Sequence, residues 1–365
     1  MRAYRSVTCL ALLFLALAFV PGGRAFAAAA KCQQVDKVVW GGGDPVPQLV
    51  LGVAKGAGYM EEECLDFNYI DTGATTNAIR LVETGEIQFG VALPSVMLTT
   101  LAKSNNNDIP LIAVYNYTPG WKYRAVVLPE SSIKSVKDLK GKTVGVTRMG
   151  LSTVPITRSI LGDNGIDPGK DVKWVAVGIG ATLIQALKGH VVDVFVGWDT
   201  NFGQLDIVGF KYRDIAFEAA KGLEFVGATG GLAHRDFVNK RPDVVARVGR
   251  AIAKATVFCQ ANPRAAADIY LKTYPAQVPK GFSYDKALDA VVAEFKLRIE
   301  LYTHPKLKLG EWSEAGWKNE LTMTELKPAE LAKIDVTKLF TNKFVAQYND
   351  FDRAPIVQKA KGWKF

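Results

Sequence analysis

Histidine and cysteine are scarce in this chain, with three and four residues respectively among 365. His190, His234 and His304 are scattered, and no Cys/His spacing has the paired form of a zinc site, so no metal is expected. A Gly-x-Ser-x-Gly elbow, a P-loop and a dinucleotide fingerprint are also lacking. The sequence therefore offers none of the usual marks of hydrolase, nucleotide or nicotinamide chemistry. No Lys/Arg block is dense enough for nucleic acid, and there is no low-complexity tract or obvious repeat. After residue 30 no apolar run reaches membrane-spanning length.

What is present starts with a leader. Residues 1–30 carry Arg2 and Arg5, an apolar core over 9–20, then Pro21-Gly22-Gly23 and Ala25-Phe26-Ala27. A positive start, an apolar run too short to span a bilayer and a small-x-small cleavage site describe a secretory signal peptide. Lys31 before Cys32 argues against a lipoprotein site. Removing Arg2, Arg5 and Arg24 from the formal charge of +9 leaves +6, a basic balance that favours anionic ligands or an acidic partner. Cys32 and Cys64 each lie just before a strand candidate. Neighbouring parallel strands would bring them together, so a disulfide between them is expected in an oxidising compartment. Cys259, in a helical stretch, reads as a buried thiol.

The mature chain opens with strand–loop–helix units. Val38-Val39-Trp40 stops at Gly41-Gly42-Gly43-Asp44-Pro45, and a helix-compatible stretch over 48–55 follows. Residues 66–70 alternate as a strand and end at Asp71-Thr72-Gly73-Ala74-Thr75-Thr76, before a helix over 77–83. A third strand, 87–93, ends at Pro94-Ser95. The theme returns with strands over 143–147, 172–177 and 191–197. Their loops hold Arg148, Ser152 and Thr153, then Gly180 and Ala181, then Trp198 and Asp199. Strands alternating with helices of this length imply βαβ crossovers and parallel sheets, with ligands at the strand carboxyl ends. Two such units facing each other make a hinged cleft. Amphipathic or buried helices are predicted over 242–260, 265–272, 285–301 and 314–321.

The order of Lys55-Gly56-Ala57-Gly58-Tyr59-Met60, Gly85-Glu86-Ile87-Gln88-Phe89-Gly90-Val91, Asp138-Leu139-Lys140-Gly141-Lys142, and Gly189-His190-Val191-Val192-Asp193 with Trp198-Asp199 resembles the periplasmic solute-binding proteins of nitrate/sulfonate/taurine-type ABC importers. The match runs over about 38–261. Cys64, where a small or acidic residue is usual, and a long extension after Tyr302 depart from the family pattern. The resemblance implies an α/β, two-lobed type II periplasmic-binding-protein fold, each lobe a mostly parallel sheet flanked by helices. Lobe I would hold 31–118 and 236–365, lobe II 119–235, with crossings at 115–121 and 230–235. It also implies a monomer in the periplasm that delivers one small ligand to an inner-membrane permease, with no cofactor and no catalysis.

Each candidate ligand group has a structural alternative. Thr72, Gly73, Ala74, Thr75 and Thr76, like Pro94 and Ser95, could offer hydroxyls and free amides to an anion or merely cap helices. Arg148 could grip a carboxylate or sulfonate, or lie solvated. Ser152, Thr153, Gly180 and Ala181 would supply donors from the second lobe. Trp40, Tyr115, Tyr117, Trp121, Trp198 and Phe202 gather near strand ends; rings are core by default, but here they favour a planar or partly apolar ligand beside Gly42. Asp44 and Asp199 could meet an ammonium or ring N–H, or in the case of Asp199 cap a helix. A solute-binding protein for a sulfonate or an aromatic or heterocyclic carboxylate is the expectation. Its alternatives are a thiamine-pyrimidine-precursor binding protein, a periplasmic sensor subunit or, within the same superfamily, a thiamine-pyrimidine synthase, for which the cysteine cluster is missing.

Overall fold

A computed structural model describes residues 32–42, 49–104, 108–120, 122–149, 151, 153–217, 225–278, 282–322, 324 and 326–365. The chain divides into a unit of residues 1–33 and a unit of residues 34–365, and the fold below is that of the second. Cys32 and Cys64 are both disulfide-bonded. Cys259 is a free, buried thiol.

Among the described residues, ten strands form two five-stranded sheets. They are β1 (Asp36–Gly42), β2 (Leu65–Asp71), β3 (Phe89–Ala92), β4 (Leu111–Thr118), β5 (Tyr123–Val127), β6 (Thr143–Val146), β7 (Lys173–Ala176), β8 (Val194–Trp198), β9 (Arg213–Asp214) and β10 (Thr229–His234). The first sheet runs β2-β1-β3-β10-β4 and the second β7-β6-β8-β5-β9. β1, β2 and β3 are parallel, as are β6, β7 and β8. β10 runs antiparallel to β3 and β4, and β5 antiparallel to β8 and β9. The fold is the expected mixed α/β architecture of two mostly parallel sheets between helices.

The interior strands β3 and β8 are buried on both faces, which explains why β3 and most of β8 read as continuous apolar runs, while the outer strands β2 and β7 keep exposed residues. One face of the first sheet packs on helices Leu49–Gly56, Pro242–Ala261, Pro263–Thr273 and Tyr284–Glu300. Its other face packs on helices Thr75–Glu83 and Pro94–Lys103 together with Trp312 and Trp317. The second sheet is covered by helix Thr153–Asp163 on one face and by helices Ala181–Lys188 and Asp199–Ile207 on the other.

Three features go beyond the sequence reading. The segment 230–235, expected to be a crossing, instead lies mostly in β10 (Thr229–His234), an interior strand of the first sheet. Gly230 and Gly231 make that position possible: a Cβ on Gly230 would strike the Tyr115 carbonyl, and one on Gly231 the Trp40 ring. Short helices Arg235–Lys240 and Arg353–Lys361 were not anticipated. Helix Tyr284–Glu300, expected against the first lobe, touches helices of both halves. Phe295 meets Tyr270 at 5.9 Å between ring centroids, while Arg298 reaches Asp199 beside the second sheet. Among the described residues no helix is long and apolar enough to cross a membrane.

Candidate functional site

The loop after β2 satisfies its own polar groups. Thr72 donates its hydroxyl to the carbonyls of Gly42 and Ala74, both at 2.9 Å, and Gly73, at φ +71°, donates its amide to Asp71. Ala74 caps helix Thr75–Glu83 with extended backbone, and Thr75 and Thr76 fill the first turn, where amides lack intrahelical acceptors. Pro94 opens helix Pro94–Lys103 as a preset N1 residue. Ser95 beside it lies within electrostatic reach of the Glu320 carboxylate and favours its charged form.

In the second sheet Thr147 follows β6. Its hydroxyl oxygen is buried without a hydrogen-bond partner, as is that of Thr153, the fully buried first residue of helix Thr153–Asp163. Arg148, next to Thr147, is exposed. Gly180, at φ +62° and ψ −128°, adopts a backbone shape essentially reserved for glycine and caps the helix that begins at the exposed Ala181. Asp44, Trp121 and Ser152 lie outside the described residues.

The aromatic candidates separate. Trp40 is fully buried and stacked on Phe89 at 5.4 Å, and Tyr115 packs on Tyr348 at 5.0 Å, so both take the core alternative. Phe202 is buried against Phe195. Trp198 is half-buried and precedes helix Asp199–Ile207, and its backbone amide donates to the Asn201 side-chain Oδ1. Tyr117 is buried near Trp40, at 6.4 Å, and lies within electrostatic reach of Arg298 and Tyr302.

That last contact leads to a buried polar cluster which the sequence reading did not assemble. Between β4 and β5 sits Lys122, 6% exposed, whose ammonium donates to the Thr229 hydroxyl at the start of β10. Thr229 pairs in register with Thr118, whose own hydroxyl is fully buried and unpartnered. Asp199 neither caps its helix nor stands free: its carboxylate receives both Nε, at 2.6 Å, and Nη2 of Arg298, and each residue is 2% exposed. Glu320 accepts from the Gly227 amide at 2.8 Å. Burial penalises the Arg298 charge, but the Asp199 carboxylate outweighs it and raises the guanidinium pKa. Burial raises the Glu320 carboxyl, against the Gly227 amide and Lys122.

Lys122 is the perturbed cation. Burial, reinforced by Arg298 and opposed by Asp199 and Glu320, pushes its ammonium down to about 7. A lowered folded-state pKa means that the unfolded chain holds the extra proton between that value and the ordinary 10.5. Stability should therefore rise with pH across this window, by up to about 1.4 kcal/mol per pH unit for one group. Urea unfolding at pH 7 and pH 9 checks this: the stability difference between wild type and Lys122→Met is expected to shift in favour of wild type at pH 9. A pH-independent difference would show that Lys122 keeps its proton.

A model of the NMT1/THI5-like family matches residues 49–266, more than half of the sequence. The chain belongs to that family. A Haemophilus influenzae protein provisionally described as a thiamine biosynthesis protein is 24% identical over 233 residues, 62% of this chain and 69% of that one. Among solved structures, a Bordetella bronchiseptica protein superposes with a TM-score of 0.64 at 23% identity, covering 86% of this chain and 96% of its own. The periplasmic aliphatic sulphonate binding protein of Escherichia coli gives 0.61 at 15%, covering 80% and 90%. The periplasmic nitrate-binding protein of Synechocystis gives 0.57 at 12%, covering 91% and 99%. At such identities the structural likenesses speak for the fold, and the fold is that of the periplasmic binding proteins.

Proposed function

We propose that the protein is the extracytoplasmic solute-binding component of an ABC importer. After export through the leader at 1–30, it takes a small organic anion, a sulfonate or an aromatic or heterocyclic carboxylate, between a lobe of 31–118 plus 236–365, to which β10 adds its strand, and a lobe formed by the rest of 119–235. The observation that carries this reading is the set of buried, unpartnered hydroxyls at strand ends and the crossing, Thr118, Thr147 and Thr153. A buried hydroxyl without a partner costs about 1–3 kcal/mol, and a ligand's oxygen atoms would repay it. Thr75 and Thr76 follow β2, Ser95 follows β3, the Gly180–Ala181 turn follows β7 and Arg148 follows β6, and in this reading they complete the site. Open and closed forms interconvert at the crossings, and a ligand touching both lobes favours closure by its differential affinity for the closed form. The closed surface is what a permease would read.

The test is a thermal-shift screen of refolded mature protein against alkanesulfonates, taurine, aromatic carboxylates, nitrate, bicarbonate and pyrimidine vitamins. Binding to the native state alone raises the melting temperature saturably. Failure of every acid to do so would remove the anion reading. Arg148→Ala is expected to weaken an acidic ligand more than tenfold, about 1.4 kcal/mol; unchanged affinity would exclude Arg148 from the site. The relative described as a thiamine biosynthesis protein supports a pyrimidine precursor as second reading, which the vitamins in the same screen address.

A further inference from the structure

The strand-end loops supply hydroxyls and amides, and their one cationic candidate, Arg148, is exposed. A buried cation stands elsewhere. Lys122 follows the chain's first passage from sheet to sheet, and its ammonium rests on Thr229, which opens β10 after the return passage. Thr118 lies opposite Thr229 in the ladder, and residues directly opposite project side chains to the same face within about 5 Å. Two hydroxyls and one ammonium thus converge where both passages meet, and the Thr118 hydroxyl has no partner although fully buried. The other charges facing Lys122 come from three helices: Asp199 from Asp199–Ile207, Arg298 from Tyr284–Glu300 and Glu320 from Glu314–Thr322. Asp199 and Arg298 pair with each other, and Glu320 accepts from the Gly227 amide. Lys122 is left with a neutral acceptor, plus the face of the Tyr123 ring with its centroid at 5.7 Å.

We propose that Lys122, with Thr118 and Thr229, is the charge-reading subsite of the binding site, taking one oxyanion group of the ligand and coupling its capture to a proton on Lys122. This rests on the anion-binding reading above. An ammonium with a neutral partner in a dry site holds its proton weakly, as its lowering to about 7 reflects. An oxyanion placed against it restores the charge, so binding takes up one proton from solvent onto Nζ, with no other bond made or broken. The sign follows directly. Affinity is full below about pH 7 and falls as pH rises through the free-state value, up to tenfold per unit, until the higher bound-state value is reached. A ligand whose acid group is already protonated or esterified is refused.

The experiment is isothermal titration calorimetry from pH 6 to pH 9 with methanesulfonate, taurine, benzoate and nitrate as probes. Wild type, Lys122→Met, Lys122→Arg and Thr118→Val are compared, each checked for an intact cooperative melt. The expected result is that the probe bound by wild type loses affinity above pH 7 with measurable proton uptake. Lys122→Met should lose at least tenfold at pH 6, and Thr118→Val a smaller factor with the pH slope retained. Lys122→Arg should keep binding with a flat profile, which a purely structural lysine would not produce. Equal binding by wild type and Lys122→Met, both pH-independent, would overturn this inference and leave the anion-binding function standing. Binding of no probe by wild type would overturn both. Should Lys122→Met fail to fold, Thr118→Val and the wild-type pH slope decide: a flat slope with unchanged Thr118→Val affinity is the overturning result.

Discussion

Arg298→Met is expected to destabilise the protein by about 3–5 kcal/mol, measured by urea unfolding at pH 7. The reason is the company Asp199 keeps. Its carboxylate is 2% exposed and its partner is the Arg298 guanidinium, so truncating the arginine strands a buried charge. Position N1 of helix Asp199–Ile207 softens the loss only slightly, by the few tenths to about 1 kcal/mol an acid gains at a helix start. The double variant Asp199→Leu/Arg298→Met is expected to recover most of the loss, because well-packed apolar residues often replace a buried pair at little cost. A double-mutant cycle with coupling below about 0.5 kcal/mol would mean that the two charges do not depend on each other.

Gly203→Val is the second large effect, expected to cost about 1–3 kcal/mol or more and to disturb the same interface. Helices Asp199–Ile207 and Tyr284–Glu300 approach so closely that a Cβ at 203 would collide with the backbone of Glu294. Backbone cannot rotate aside as a side chain can, so the helices must part, and parting them pulls Arg298 away from Asp199. Ala287→Gly, on the buried face of the longer helix but away from this crossing, serves as control: it should lose only about 1 kcal/mol of helix propensity plus the buried methyl. Equal stability of Gly203→Val and wild type in urea would contradict the close crossing.

Much of this architecture was legible because it is written in local repeats. The alternation of 66–70, the glycine-rich stop after Trp40 and the Pro94 helix start each declare an element within a dozen residues, and the parallel units follow from their order. Partners across the chain were not legible. Asp199 and Arg298 are 99 positions apart, and Gly227 and Glu320 are 93 apart, so periodicity identifies a face but never what meets it. One signal was available: Arg298 falls three residues after Phe295 and beside Ile299, so a charge occupies the apolar face of a helix. Aromatic residues are ambiguous in sequence for a different reason. Trp40 at a strand end has the same sequence appearance as core or as ligand platform, and only the close approach of Gly231 shows which face its ring fills. Lys122 sat between Trp121 and Tyr123, an aromatic setting whose meaning for its charge emerges only once β10 brings Thr229 beside it.

β4 is an outer strand of the first sheet, yet its free side is not bare. Leu339 takes the Ala113 amide at 2.8 Å, Thr341 donates to the Ala113 carbonyl at 2.9 Å, and Gly310 accepts from Asn116 at 3.1 Å. The long C-terminal segment thereby blunts a flat apolar edge that would otherwise template pairing with another chain. A polypeptide is made amino end first, so β4 exists well before its cover does. The interval between the two is when this protein most needs to be kept apart from its neighbours, and a chain cut short after residue 305 would never leave that interval.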